Sequence, residues 1–307
     1  MYSLNDNFFK IIIFFLLAPV SLTGQVNQFH ASDQYMNNPI LFNPAYSGED
    51  DALSINISCK NQSFGFEGSP KSTIIAIHTP IQSRNISVGI QLHKQEYAIE
   101  QNLILNVDYA YRFNFRNGTL ALGLAFNITN YETRWSDLIA YETDDNSLVP
   151  YDISGYYSNA RIGAYYKTKH FSTGFSALNL IPNNLGDDTY NEIANDNIIQ
   201  LFYNIGYKFQ KGDRFQFSPF LLLRYNQLNG FQADMAMQLF YQKKVSAGII
   251  YRSEGDIISL LQLRINKQIS FAYSYGFQTN RNNGLGGTHE ILLKYVFKYE
   301  RKVESLR

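Results

Sequence analysis

The stretch Ile269-Ser270-Phe271-Ala272-Tyr273-Ser274-Tyr275-Gly276-Phe277-Gln278 puts a large apolar side chain at every odd position and a small or polar one at every even position. Successive side chains of a strand project to opposite faces, so the stretch reads as a strand with one aromatic and one small face. On a helix the same sets would scatter around the circumference. The closing segment repeats the pattern, with Ile291, Leu293, Tyr295, Phe297 and Tyr299 opposite Glu290, Lys294 and Lys298. Further upstream, Leu103, Leu105, Val107, Tyr109, Tyr111, Phe113 and Phe115 oppose Asn102, Asn106, Asp108, Arg112, Asn114 and Arg116. Ile199, Leu201, Tyr203, Ile205, Tyr207 and Phe209 oppose Gln200, Asn204, Lys208 and Gln210 in the same way.

Comparable segments number about fourteen, near 51–62, 71–80, 85–96, 101–115, 118–131, 155–167, 170–180, 197–211, 214–226, 230–243, 244–253, 256–266, 267–279 and 287–299. An even number suits a bacterial outer-membrane barrel, whose N- and C-termini then both lie in the periplasm. Such barrels pair short periplasmic turns with longer outer loops. Every second connection here is short: Ser83-Arg84, Arg116-Asn117-Gly118, Thr168-Lys169, Gly212-Asp213, Lys243-Lys244 and Asn266-Lys267. Asn117-Gly118 is a favoured two-residue hairpin turn. The intervening connections include the longest in the chain, Tyr131 to Ser154, Ile181 to Asp196 and Asn280 to Gly286. A soluble sandwich or lipocalin-like barrel also alternates, but its single interior could hardly hold so many Phe and Tyr side chains on one face. The expected fold is an all-β transmembrane antiparallel barrel of about fourteen strands, with the aromatic face toward outer-membrane lipid and the polar face toward the lumen.

Composition agrees. The 307 residues are 45% hydrophobic, 15% aromatic with 23 Tyr and 23 Phe, and 17% charged. Apolar residues this plentiful exclude a disordered chain, and their dispersal excludes a helical membrane protein. Lys+Arg and Asp+Glu stand at 26 each, so nothing in the balance attracts nucleic acid. The lone Cys59 forms no internal disulfide, and no cysteine ends the first apolar run where a lipoprotein needs one. That run, Ile11 to Val20, is too short to span a bilayer and is followed by Ser21-Leu22-Thr23-Gly24, so residues 1–24 read as a signal peptide. Residues 25–48 form a non-strand segment near the periplasmic mouth, 49–299 the barrel and 300–307 a charged tail. Pro39 and Pro44 stiffen that segment and Gly48 allows it to bend. It could pack into the lumen or meet a partner, through Phe42, Asn43, Pro44, Ala45 and Tyr46 in the second case.

Two places carry more than periodicity. Gln34-Tyr35-Met36 with Asn43-Pro44-Ala45-Tyr46-Ser47-Gly48, and the closing Gly287-Thr288-His289-Glu290-Ile291-Leu292-Leu293-Lys294-Tyr295, resemble the two ends of the PorP/SprF family of type IX secretion system membrane proteins. Tyr273-Ser274-Tyr275 and Ala177-Leu178-Asn179-Leu180 are similar to patterns between them, so the resemblance covers roughly residues 31–299. Ser47 and Thr288 depart mildly from it. The resemblance implies an outer-membrane barrel of gliding, secreting Bacteroidetes that supports export or surface attachment of a secreted type IX substrate such as an adhesin. It also implies periplasmic partners that hold the machinery to peptidoglycan.

The polar residues form no catalytic or metal-binding motif. His30, His78, His93, His170 and His289 lack metal-ligand spacing, and His78 and His93 fall on polar faces as lumen hydrogen-bonding groups. His289-Glu290 lacks the second histidine of a zincin helix. Gly284-Leu285-Gly286-Gly287 has no following helix to bind phosphate, and Glu142-Thr143-Asp144-Asp145-Asn146 lacks a closing calcium ligand. No Gly-x-Ser-x-Gly elbow is present. The expectation is a non-enzymatic secretion barrel with no metal and no cofactor. The second reading is a transport barrel, either a solute pore or a fatty-acid-type channel with an N-terminal plug.

Overall fold

The computed structural model describes residues 32–81, 85–138, 151–183, 198–212, 214–228, 230–253, 255–278 and 286–297. The signal peptide, His30, the Ser83-Arg84 turn, the 142–146 acidic run, Gly284-Leu285 and the 300–307 tail lie outside them.

Alternation becomes pairing along the whole chain. The strands are β1 (Ser54–Asn61), β2 (Lys71–Pro80), β3 (Ile86–Tyr97), β4 (Glu100–Phe115), β5 (Gly118–Thr133), β6 (Ile153–Lys167), β7 (Phe171–Leu178), β8 (Gln200–Tyr207), β9 (Phe209–Lys211), β10 (Phe215–Asn226), β11 (Gly230–Tyr241), β12 (Val245–Arg252), β13 (Asp256–Arg264), β14 (Ile269–Gln278) and β15 (Thr288–Val296). Each pairs antiparallel with its neighbour, and β1 closes the ring on β15 from Ser54↔Val296 to Asn61↔His289. β9 continues β8 against β10 in the same register. The interruption falls at Tyr207-Lys208, which the shared register sets opposite Pro219 and Ser218, and Pro219 has no N–H to donate. The closed wall therefore has fourteen strands, as the periodicity predicts.

Facing follows the sequence pattern. Leu105, Val107, Tyr109, Phe126, Phe277 and Ile291 are exposed outward, whereas Asn106, Asp108, Arg112, Ser274 and Glu290 are buried inward. An outward face this apolar over a closed ring suits lipid. The inward face is not uniformly polar. Ile74, Leu222, Ile250, Ile258, Leu260 and Leu292 are buried on it as well.

The two ends of the ring differ. At one end every connection is short. There Phe115 pairs with Gly118, which leaves Arg116-Asn117 as the two-residue turn in place of the expected Asn117-Gly118. The left-handed turn lies instead at Gln242-Lys243, with φ of 49° and 56°, closed by Lys244 N donating to Tyr241 O at 3.0 Å. The other end holds the long loops, but also the tight Ala98-Ile99 turn between β3 and β4. Charge divides likewise. Arg116, Lys169, Lys208, Arg214, Lys243, Lys244, Arg264 and Lys267 are exposed at the short-turn end, where Asp51 is the one exposed carboxylate among the described residues. At the long-loop end Glu67, Asp137 and Asp152 are exposed beside Lys71 and Lys94.

The segment before β1 begins at the short-turn mouth, as expected, but reaches much further. Traced backward from Ser54 it crosses the lumen, so that Ser32 sits among residues of the long-loop end. The first and last described residues thus lie at opposite ends, whereas the even strand count alone puts both termini on one side.

Candidate functional site: an occupied lumen

Local sequence shapes the segment. Pro39 opens one 3-10 turn, Pro39–Leu41, and Pro44 opens another, Pro44–Tyr46; proline suits a first helical position because its missing donor has no partner there. Asn43 caps the second turn, its Oδ1 accepting from Ala45 N at 2.9 Å. Its Nδ2 donates outward to the wall, to Ala164 O at 3.1 Å and Phe175 O at 3.3 Å. Gly48, at φ 72°, turns the chain toward β1.

The wall grips backbone as much as side chains. Gln91 Nε2 and Arg161 donate to Ile40 O at 3.2 and 3.1 Å, and Arg161 also to Leu41 O at 3.0 Å. Ser176 Oγ donates to Phe42 O, and Arg112 to Ser47 O and Gly48 O. Gly48 N donates to His78 Nδ1 at 3.0 Å, which makes that ring nitrogen the acceptor. Two strand glycines make room: a Cβ on Gly123 would lie 2.2 Å from Ala45 N, and one on Gly163 2.1 Å from Asn43 Oδ1.

Between these contacts lies an aromatic core. Tyr35, Ile40, Phe42, Ala45 and Tyr46 pack with Ala76, Ala121, Tyr165, Leu222, Ile258 and Leu260 of the wall. Tyr46 stacks on Tyr165 with centroids 3.9 Å apart, and its hydroxyl accepts from Asn204 Nδ2 at 3.1 Å. Phe42 meets Tyr35, Tyr46 and Phe202, while Tyr35 also meets Phe220. Phe42, Asn43, Pro44, Ala45 and Tyr46, the residues expected to meet a partner, are all buried against the barrel's own wall.

Charge fixes both ends of the segment. At the long-loop end Asp33 pairs with Lys60 at 3.2 Å and Arg252 at 3.1 Å. Arg252 also meets Asp234 and Asp256, each at 3.1 Å, and Arg224 pairs with Asp234. Glu290 accepts from Ser32 Oγ and Asp33 N at 2.6 Å. Burial raises the Asp33 carboxyl, yet Lys60 and Arg252 outweigh it and hold the group below its ordinary range. At the short-turn end Asp50 meets Lys294 at 2.7 Å and His78 at 3.5 Å, and Glu49 meets Lys167 at 2.8 Å. Asp50 is likewise held low: burial raises it, and Lys294 and His78 overcome that effect. His93 Nε2 lies 3.1 Å from Gln91 Oε1 inside the lumen. His289 faces outward, its Nδ1 2.8 Å from the Tyr273 hydroxyl. Among the described residues no three metal-ligating side chains converge.

Sequence reasoning missed the wall side of this site. Its signals were present as Gly123 and Gly163 inside strands, where glycine marks close backbone approach, and as Arg112, Arg161, Asp234 and Arg252 on inward positions.

Known structures share the architecture. The Ralstonia pickettii toluene transporter TbuX is 10% identical, with a TM-score of 0.52 over 84% of this chain and 93% of its own. The Acinetobacter baumannii outer membrane protein Omp33 is 8% identical, with a TM-score of 0.49 over 80% of this chain and 98% of its own. No curated protein matches the sequence. The family comparison is more informative, because it matches residues 24–295, the occluding segment and almost the whole wall together. The chain belongs to the PorP/SprF family of type IX secretion system membrane proteins.

Proposed function

We propose that this chain is a non-enzymatic outer-membrane barrel that supports export or surface attachment of a specific secreted, adhesin-like protein by the type IX machinery. The observation that carries this reading is the occupied lumen. A segment held by ion pairs at both ends and by an aromatic core between them suits a docking body better than an open solute pore. In this reading the short turns face the periplasm, where peptidoglycan-linked components would meet them, and the long loops face outward to the exported protein. Phe42, Asn43, Pro44, Ala45 and Tyr46 then serve the seal, and a partner reaches them only after withdrawing the segment.

Deleting the gene in its host and comparing surface proteins tests the proposal. Loss of one surface protein with unchanged solute uptake is the expected result. Intact surface proteins with altered uptake of small solutes would assign the chain to solute transport instead. A Phe42→Ala/Tyr46→Ala variant separates the segment's role from that of the wall. If it inserts and resists heat like the parent while losing surface display, the segment takes part in the partner's binding; if it fails to assemble, the segment is structural.

A further inference from the structure

A net charge of zero conceals a strong polarity along the barrel axis. Eight basic side chains are exposed at the short-turn end, spread over five of its turns rather than gathered on one arc. None has a carboxylate partner among the described residues. Exposed outward aromatics stand close to four of them: Phe115 before Arg116, Tyr207 before Lys208, Phe215 after Arg214 and Tyr241 two residues before Lys243. An exposed aromatic belt marks the depth at which a barrel leaves the hydrocarbon for the headgroups. Just beyond that belt the rim cations stand at phosphate depth, and Lys243 and Lys267 fall on positions that continue the outward-facing alternation of their strands.

We infer that the short-turn rim is a binding collar for the phosphates of anionic phospholipids in the leaflet around it. Distribution decides between lipid and protein as the occupant. A folded acidic partner would engage one arc or cap the mouth, whereas lipid headgroups surround the barrel at every turn. Among the described residues Asp51 is the one exposed carboxylate at that end, against eight exposed cations. Basic groups near an anionic surface each contribute about 1 kcal/mol, a factor of about five per charge.

The test uses the full barrel in nanodiscs made from phosphatidylethanolamine with a minority of phosphatidylglycerol. Lipids retained after mild detergent extraction are counted by mass spectrometry. The parent should retain phosphatidylglycerol several-fold above its share at low salt and lose the excess in high salt. Lys243→Gln/Lys244→Gln should lower the enrichment, and adding Arg264→Gln/Lys267→Gln should lower it further. Lys71→Gln/Lys94→Gln at the opposite end should leave it unchanged. Heat-modifiable migration checks that each variant is folded, and the salt titration of the parent stands independently of any variant. Absence of enrichment in the parent, or enrichment equal in the rim variants, would overturn the inference. So would a co-purifying acidic protein released by the rim variants while the lipid composition stays at bulk.

Discussion

The occluding segment is held by charge at both ends, but in two different media. At the long-loop end Asp33, Asp234, Lys60 and Arg252 are almost wholly buried; at the short-turn end Glu49, Asp50, Lys167 and Lys294 keep about a fifth to a third of their side-chain surface. Buried ions cost several kcal/mol to desolvate and depend on having every partner in place. Partly hydrated ions depend on theirs far less. The long-loop end is thus a brittle lock, and the short-turn end a tolerant one.

Removing a cation from the brittle end should give the largest effect. Arg252→Met leaves Asp33, Asp234 and Asp256 sharing fewer positive charges, and should destabilise the barrel by about 3–5 kcal/mol, read as a lower unfolding midpoint in denaturant. Asp33→Asn at the same place should cost much less, because Lys60 and Arg252 keep Glu290, Asp234 and Asp256 nearby; equal losses would show that charge balance is not what matters there. Next comes Gly163→Val, midway between the ends, which drives a side chain into Asn43 and should cost about 1–3 kcal/mol or expel the segment. Expulsion would appear as new ion conductance in planar bilayers. At the tolerant end Asp50→Asn should cost about 1 kcal/mol and Lys167→Gln at most that. A loss at Lys167 as large as that at Arg252 would erase the distinction between the ends.

Acid sharpens it further. Asp33 and Asp50 are both held below the ordinary carboxylate range when folded, so their stabilisation is complete above about pH 4 and is lost as pH falls through the depressed folded values. Proteolytic access to the segment should therefore rise on acidification below about pH 4.

Strand count, facing and most hairpin limits were legible because period two is a local property: each lipid-facing residue announces itself by its neighbours. Gln242-Lys243 shows where locality fails, since a left-handed turn formed without Asn or Gly carries no composition signal. The path of residues 32–53 was hidden for another reason. Its contacts join positions more than a hundred residues apart, such as Ser176 with Phe42 and Asp33 with Glu290. On the inward face Leu222, Ile258 and Leu260 alternate with outward apolar residues in nearly continuous runs, which mask the side that packs on the segment. The proline-stiffened sequence was readable as rigid, but rigidity does not say what a segment fills.

The Asp33 contacts have a consequence for assembly. Lys60 belongs to the first strand and Glu290 to the last, the two strands whose pairing closes the ring, and Asp33 touches both. The grip therefore depends on the final strand, and it joins residues separated by 257 positions, among the slowest kinds of contact for a chain to find. Ring closure and sealing become a single late event. A truncated chain ending before β15 would have neither a complete wall nor a fixed segment, so a half-built barrel would stand open at its seam instead of persisting as a leaky, nearly finished pore.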